Sequence, residues 1–451
     1  MTTLNIPSKF RIAIVGAGLG GLLFALFLQK HAEDIEVDIY ESAHELTELG
    51  AGVAMWPRVW ELIKYLGLEE ELLEISGSSR AGVPNFVFEK ADEAQSVYIH
   101  TFPAPVQTFH RADLQKLLAK HLHAYERIQY AKRLASYTDP ASESDPIVLN
   151  FRDGTEAMCD VLVGCDGIKS AVRRTMYTRM ADEAEVNGQA EEATRLRAMN
   201  DPIWSGCVAY RGLIPAGHLE NSDRKEALVP RIVIGKHKNV VIYPISGGEI
   251  VNVVAFVETP GGRGTHYSGP WVSTSTTEEV AKQFSGWAPI IRTLVNSWSN
   301  PTVWAIHTVA ELPTFVKGRV VLLGDAAHAM TPHQGSGAGQ AFEDGLILSS
   351  LLAHPSVNLK TISRALKIYD DVRRPFAQNI QRVSDLTGSM YHLHEMGWEK
   401  VSAEGSMAGQ YPPELLSAWG QRMSELLVWV SEGDSMKARE QVVSLLESTL
   451  A

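Results

Sequence analysis

The chain has 451 residues, 45% of them hydrophobic and 21% charged, with a formal net charge of −12. That length exceeds one compact core, so two or more lobes are expected. The acidic balance offers no Lys/Arg-rich face for phosphates or an anionic bilayer, so neither nucleic acid nor a membrane is an expected partner. Three cysteines, Cys159, Cys165 and Cys207, contain no C-x-x-C pair. They support neither a disulfide framework nor a zinc site, read as small buried residues, and fit a reducing, cytoplasmic setting.

In chain order, Arg11 to Val15 reads as an apolar strand, Gly16 to Gly21 as a turn and Leu22 to His31 as a helix. Glu36 to Tyr40 follows as a second strand ending at Glu41, which completes the opening βαβ of a doubly wound fold. The uncharged run from Ile12 to Leu28 has about the length of a short membrane span. Its four glycines and the lack of a basic leader make strand, turn and buried helix the better reading. Residues 57 to 75 carry the spacing of one amphipathic helix, and Val83 to Thr108 alternates in short strands. Arg111 to His123 is helical; Val148 to Phe151 and Val161 to Gly164 are strands.

The charged stretch 178 to 200 reads as a solvated helix or loop between lobes. From Ile203 to Val257 several β-rich runs suggest an antiparallel sheet distinct from the parallel one at the front. Arg319 to Leu323 returns to a buried strand, a long helix begins near Gly337, and the chain from Pro375 onward is helical in character.

The turn Gly16-Ala17-Gly18-Leu19-Gly20-Gly21 is a G-x-G-x-x-G between strand and helix. Gly16 allows the tight turn, Gly18 lets backbone approach a pyrophosphate, and Gly21 lets the helix pack closely. The helix N-terminus favours the phosphates, and Glu41, about twenty residues on, stands where an acid accepts from a ribose hydroxyl. The motif predicts a dinucleotide without choosing between FAD and NAD. His121 with His123, and His392 with His394, lie two apart and diverge on a helix, so no metal is expected. No Ser-His-Asp arrangement or nucleophile elbow is present.

Two later segments select the cofactor by resemblance. Val161 to Gly167, with Ser170 and Arg173, resembles the Asp-Gly fingerprint of flavoprotein aromatic hydroxylases. Val320 to Asp325, with Ala326-Ala327-His328 and Pro332, resembles their Gly-Asp fingerprint. With the N-terminal glycines these motifs span the chain in the order of the group A flavin monooxygenases, the salicylate hydroxylase and para-hydroxybenzoate hydroxylase type. The resemblance implies FAD, with NADH or NADPH and O2 as co-substrates. It implies hydroxylation of a phenolic ring through a flavin C4a-hydroperoxide.

Carried over residue by residue, the resemblance places Asp325 on a ribityl or ribose hydroxyl and Gly337 and Ala338 against the flavin pyrimidine. Asp166 falls near the FAD phosphates and the nicotinamide approach, with a plain turn-forming Asp-Gly as its alternative. Arg111 reaches FAD, and Ala54, in Gly50-Ala51-Gly52-Val53-Ala54, follows the ribose acid beside the cofactor. Arg211, in Ala209-Tyr210-Arg211-Gly212, and Tyr243 are similar to residues that hold a substrate phenolate in fungal hydroxylases and dearomatases of phenolic polyketides. Cross-strand packing is their alternative role. His333 and Gln334 either line the pocket or shape its loop.

The implied fold is α/β: a doubly wound, glutathione-reductase-like FAD-binding domain, a β-sheet substrate domain and a helical C-terminal section. FAD-binding pieces are expected at 1–80, 109–180 and 301–375, substrate-domain pieces at 81–108 and 181–300, and the helical section at 376–451. Decarboxylative hydroxylation, simple hydroxylation and dearomatisation stay open. An isoprenoid epoxidase or reductase and a flavin-free partner-binding protein of the Rab escort type are the other readings.

Overall fold

The structure is a computed structural model that describes residues 8–46, 52–77, 85–123, 128–140, 142 and 144–450. Gly50 and Ala51 of the loop before Ala54, and Val83 at the start of the alternating strands, lie outside the described residues. Strand Phe10–Val15, helix Leu19–His31 and strand Ile35–Tyr40 form the expected βαβ unit. They sit in a six-stranded sheet ordered Val316–Lys317, Val320–Leu322, Val161–Gly164, Phe10–Val15, Ile35–Tyr40, Ile128–Gln129. Every pair in it is parallel except the outermost, Val316–Lys317 with Val320–Leu322. Val161–Gly164 and Val320–Leu322 are buried throughout, as continuous apolar strands covered on both faces must be.

Helix Leu19–His31 packs closely against helix Gly337–Ala353, with glycines at the contact where a side chain would be crowded. A Cβ on Gly345 would lie 3.2 Å from the Phe24 backbone, and one on Gly20 3.1 Å from Ala341 Cβ. The four segments Gly16, Glu41, Cys165-Asp166 and Gly324-Asp325 each follow the carboxyl end of a parallel strand. Ligands of doubly wound sheets bind at that edge.

The second large sheet has eight strands among the described residues. Its order is Val272–Thr274, Thr302–Thr308, Ile203–Pro215, Ile250–Glu258, Lys238–Ile245, Arg231–Gly235, Val87–Lys90, Val97–Thr101. It is mixed rather than purely antiparallel, because Arg231–Gly235 pairs in parallel with Val87–Lys90. Those two strands are far apart in sequence, so no hairpin dictates their direction. Thr302–Thr308 pairs with Ile203–Pro215 in this sheet although it follows residue 300, and helix Ala171–Val186 runs unbroken through residue 180.

The two faces of the eight-stranded sheet have different fates. One buries Tyr210, Val233, Val240, Ile242, Val253 and Ala255 against Val280, Phe284, Ile291 and Leu294 of helices Thr277–Gln283 and Pro289–Asn296. The other, one residue out of phase, presents Arg211, Ile232, Val241, Tyr243, Asn252 and Val254 to a cavity.

Helical boundaries differ from expectation in two places. Residues 57 to 75 form two helices, Pro57–Leu66 and Glu69–Ser76, because Gly67 takes φ 79° and caps the first. Helix Arg111–Lys120 stops at His121, short of His123. The chain from Pro375 onward is helical as expected, with Pro375 itself inside Ile362–Tyr391. Burial of Ile368, Tyr369, Arg373 and Ala377 along that helix outweighs the local penalty of proline. The charged stretch 178 to 200 is helical, in Ala171–Val186 and Ala190–Arg197. Among the described residues, no helix is long and apolar enough to cross a membrane.

Candidate active site

A cavity of about 640 Å³ opens between the carboxyl edge of the parallel sheet and the face of the eight-stranded sheet that carries Arg211 and Tyr243. Gly16, Gly18, Glu41, Ala54, Arg111, Asp166, Arg211, Tyr243, Asp325, Gly337 and Ala338 all line it. Gly21 does not. A Cβ there would meet the Gly16 carbonyl oxygen at 2.1 Å, so this glycine serves helix packing. Gly16, at φ 105°, leaves no room for a side chain either, since a Cβ would lie 2.3 Å from the Cys165 carbonyl oxygen.

Glu41 is held by its neighbours: Oε2 accepts from Ala17 N–H at 2.8 Å and Oε1 from Ala43 N–H at 2.8 Å. The acid thereby ties the second strand to the glycine turn. Asp166 caps helix Ala171–Val186, accepting from Ser170 Oγ, from Ala171 N–H at 2.7 Å and from Val172 N–H at 3.2 Å. Burial pushes its carboxyl up, against the pull of those hydrogen bonds. Arg173, fully buried, points away from the cavity and donates to the Ile168 carbonyl at 2.6 Å and the Ala326 carbonyl at 2.9 Å. It fastens the Asp-Gly segment to the Gly-Asp segment.

Asp325 is exposed to the cavity, and a Cβ on Gly337 would lie 3.9 Å from its Oδ1. Gly337 and Ala338 begin helix Gly337–Ala353, which has no acidic residue in its first turn. Its N–H groups and dipole therefore stay available to a negative group. Behind this turn runs a buried network that motifs did not reveal: Asp344 with His328 and Arg373, and Glu343 with Arg373 and Arg58. Cys165, expected as a plain buried residue, lines the cavity; Cys159 and Cys207 are buried.

At the sheet end, the Arg211 guanidinium lies 4.7 Å from the centre of the Trp304 ring. Its Nε is buried and has no partner among the described residues. Burial lowers the Arg211 pKa, while the neighbouring Tyr243 raises it. Tyr243 is pushed up to about 12 by burial, with Arg211 acting in the opposite sense. Its ring occupies space that only a glycine at 52 leaves, because a Cβ there would lie 2.5 Å from Tyr243 Oη.

Asn252 carried no motif. It is paired across the sheet with Tyr243, fully buried, and neither side-chain polar atom has a partner among the described residues. Its signal in the sequence is one amide in the otherwise apolar run from Ile250 to Val257. His333 also lines the cavity, packed on Phe256 at 5.1 Å and Tyr391 at 5.9 Å between ring centres. Both its ring nitrogens are buried without a partner among the described residues, and burial lowers its pKa to about 4.

The residues present fit FAD. Two glycines deny side-chain space at the strand edge, a helix N-terminus opens on the cavity, and acids stand at three strand ends. Comparison with known proteins agrees: residues 9–384 match the FAD binding domain family. The chain is 36% identical over 403 residues to salicylate hydroxylase of Pseudomonas putida, covering 87% of this chain and 88% of that protein. It is 32% identical to FAD-dependent monooxygenase str9 of Strobilurus tenacellus, covering 99% and 100%. A solved salicylate hydroxylase substrate complex superposes with a TM-score of 0.79 at 29% identity, over 97% of this chain and 98% of that one. On this evidence the chain belongs to the FAD binding domain family and is a flavin-dependent monooxygenase.

Proposed function

We propose that this chain hydroxylates a small anionic phenol of the salicylate type, using NAD(P)H and O2. The observation that carries the reading is the placement of Arg211, Tyr243 and Asn252 on one sheet face, lining the same cavity as Gly16, Asp325 and the Gly337–Ala338 helix start. Glu41, Arg111, Ala54, Asp166, Asp325, Gly337 and Ala338 are the residues that would hold FAD. When bound, FAD supplies electron transfer from NAD(P)H and activation of O2.

The chain's own groups must bind the ring, orient it and exclude water. Arg211 is a permanent cation that can fork two hydrogen bonds to a carboxylate or phenolate, and Trp304 backs its guanidinium. Tyr243, with a pKa near 12, keeps its proton at neutral pH and donates to the same anion. Asn252 offers one donor pair and one acceptor. His333 is neutral at pH 7, so one of its ring nitrogens can accept a hydrogen bond from the phenol hydroxyl. A phenolate paired with the Arg211 cation is the electron-rich ring that an electrophilic oxygen requires.

Domain boundaries near 80, 108 and 375, with two more placed after helix Ala171–Val186 and after strand Thr302–Thr308, and a cytoplasmic location, belong to the same reading. The relatives named above are hydroxylases and monooxygenases, which favours catalysis over an isoprenoid-directed or purely partner-binding role. The test is an absorbance spectrum of the purified protein, then NAD(P)H consumption with salicylate and resorcinol-type phenols and mass analysis of the product. A flavin spectrum and ring-stimulated oxidation are expected, and loss of CO2 from salicylate identifies the decarboxylative outcome. A colourless protein that cannot be reconstituted with FAD overturns the proposal.

A further inference from the structure

Sequence spacing argued against metal ligation by His392 and His394 because two residues on a helix point apart. The structure removes that premise. Helix Ile362–Tyr391 ends before them, and Leu393 between them takes φ 57°, which turns the chain back. His394 Nε2 then lies 2.5 Å from Glu258 Oε2. A third side chain reaches the same oxygen: His237 Nδ1 lies 3.1 Å away, from the two-residue turn between Arg231–Gly235 and Lys238–Ile245.

We propose that His237, Glu258 and His394 form a site for a divalent transition-metal ion, with Zn2+ as its occupant. The three ligand atoms lie within 4.8 Å of one another. Ligands about 2.0–2.1 Å from a tetrahedral zinc stand roughly 3.3 Å apart, so rotations of about 1 Å convert the hydrogen-bonded cluster into a metal site. Two imidazoles and one carboxylate suit zinc, nickel or copper rather than calcium or magnesium. The side chains are 39%, 27% and 28% exposed, so an ion can enter and water can complete its shell.

The backbone supports this convergence independently. His237 sits at φ 64° in the left-handed region, which histidine adopts more readily than most residues, and the turn fixes its position. Its N–H donates to the His392 carbonyl at 3.1 Å, and its carbonyl accepts from Glu258 N–H at 2.9 Å. Lys236 Nζ donates to the Leu393 carbonyl at 2.7 Å, so turn and loop are joined before any ion arrives. A bound ion would clasp the end of the long helix to the sheet that carries Arg211 and Tyr243.

The test is titration of chelator-treated, FAD-loaded protein with Zn2+ against a chromogenic chelator, alongside thermal melts. One Zn2+ per chain and a higher melting temperature with the ion are expected. His394→Gln preserves a donor to Glu258, and His237→Asn suits the left-handed turn, so both variants should fold and keep their flavin spectrum. Each removes one of three ligands and should weaken Zn2+ binding by more than the roughly 10–100-fold that loss of an outer-shell partner costs. Zn2+ binding equal to wild type in the double variant, which would place the ion at the cysteines or elsewhere, overturns the site. So does the absence of binding to the wild-type protein.

Discussion

Asp344 Oδ2 and His328 Nε2 lie 2.6 Å apart, and neither residue is exposed to solvent. The same oxygen accepts from Gly324 N–H at 3.1 Å, and Oδ1 accepts from Arg373 Nε at 2.7 Å. One buried carboxylate therefore fixes the left-handed Gly324 and, through it, the position of Asp325 at the cavity. Asp344→Ala leaves Arg373 short of a counter-charge and should destabilise the fold by about 3–5 kcal/mol. Urea unfolding measures the loss, and flavin content should fall with it.

The same pair makes a pH prediction. Burial pushes the Asp344 carboxyl up, and the charges of His328 and Arg373 outweigh burial, leaving it at about 2 against an ordinary 3.8. The folded chain thus binds this proton less readily than the unfolded one. The contribution is complete above the ordinary value and is lost as pH falls from there through about 2. Melting temperature followed into acid should drop less steeply in Asp344→Ala than in wild type. Equal slopes would remove Asp344 from the acid response.

Gly21→Ala tests the glycine turn apart from any ligand contact. The new Cβ would meet the Gly16 carbonyl oxygen at 2.1 Å, and backbone cannot yield as a flexible side chain does. The turn must open, so the ratio of bound flavin to protein should fall severalfold and the melting temperature should drop. Full flavin occupancy in this variant would show that the helix tolerates displacement.

Arg211→Ala should lower kcat/KM for an anionic phenol by about 100-fold or more, the scale of losing a charge-assisted, buried ion contact. The flavin spectrum should persist, because Arg211 stands on the substrate-side sheet. Arg211→Lys should recover only part of the loss, since an ammonium cannot fork two parallel hydrogen bonds or stack on Trp304 as a guanidinium does. Unchanged turnover in Arg211→Ala would remove it from substrate binding.

What the sequence disclosed follows from how strongly local chemistry constrains each position. Gly16 and Gly21 must be glycine because backbone oxygens occupy the space of a Cβ, so the turn was readable without a structure. Glu41 was readable from its distance past the glycine turn and Asp325 from the resemblance to the Gly-Asp fingerprint, and both line the cavity. Arg211 was singled out from Tyr210 by resemblance rather than by pattern. Register separates them, since alternation sends Tyr210 into the helix-covered core and Arg211 to the cavity. His392 and His394 were placed on a helix that in fact ends at Tyr391, because nothing local marks the end of this thirty-residue helix that passes through Pro375. Asp344 and Arg373 were invisible because their partnership spans different helices.

Asn252 separates substrate binding from stability. A fully buried amide with no partner among the described residues is a liability for folding, so an apolar residue of similar size should be tolerated or stabilising. If the amide instead faces the substrate, the same change removes a hydrogen bond of about 0.5–1.5 kcal/mol, or more to an anion. Asn252→Leu is therefore expected to keep or raise the melting temperature while raising KM for the phenol severalfold, with flavin content unchanged. A fall in melting temperature with KM unaltered would make Asn252 a structural residue whose partner is ordered water. The opposite movement of the two readouts is what a binding site built at the expense of its own stability produces.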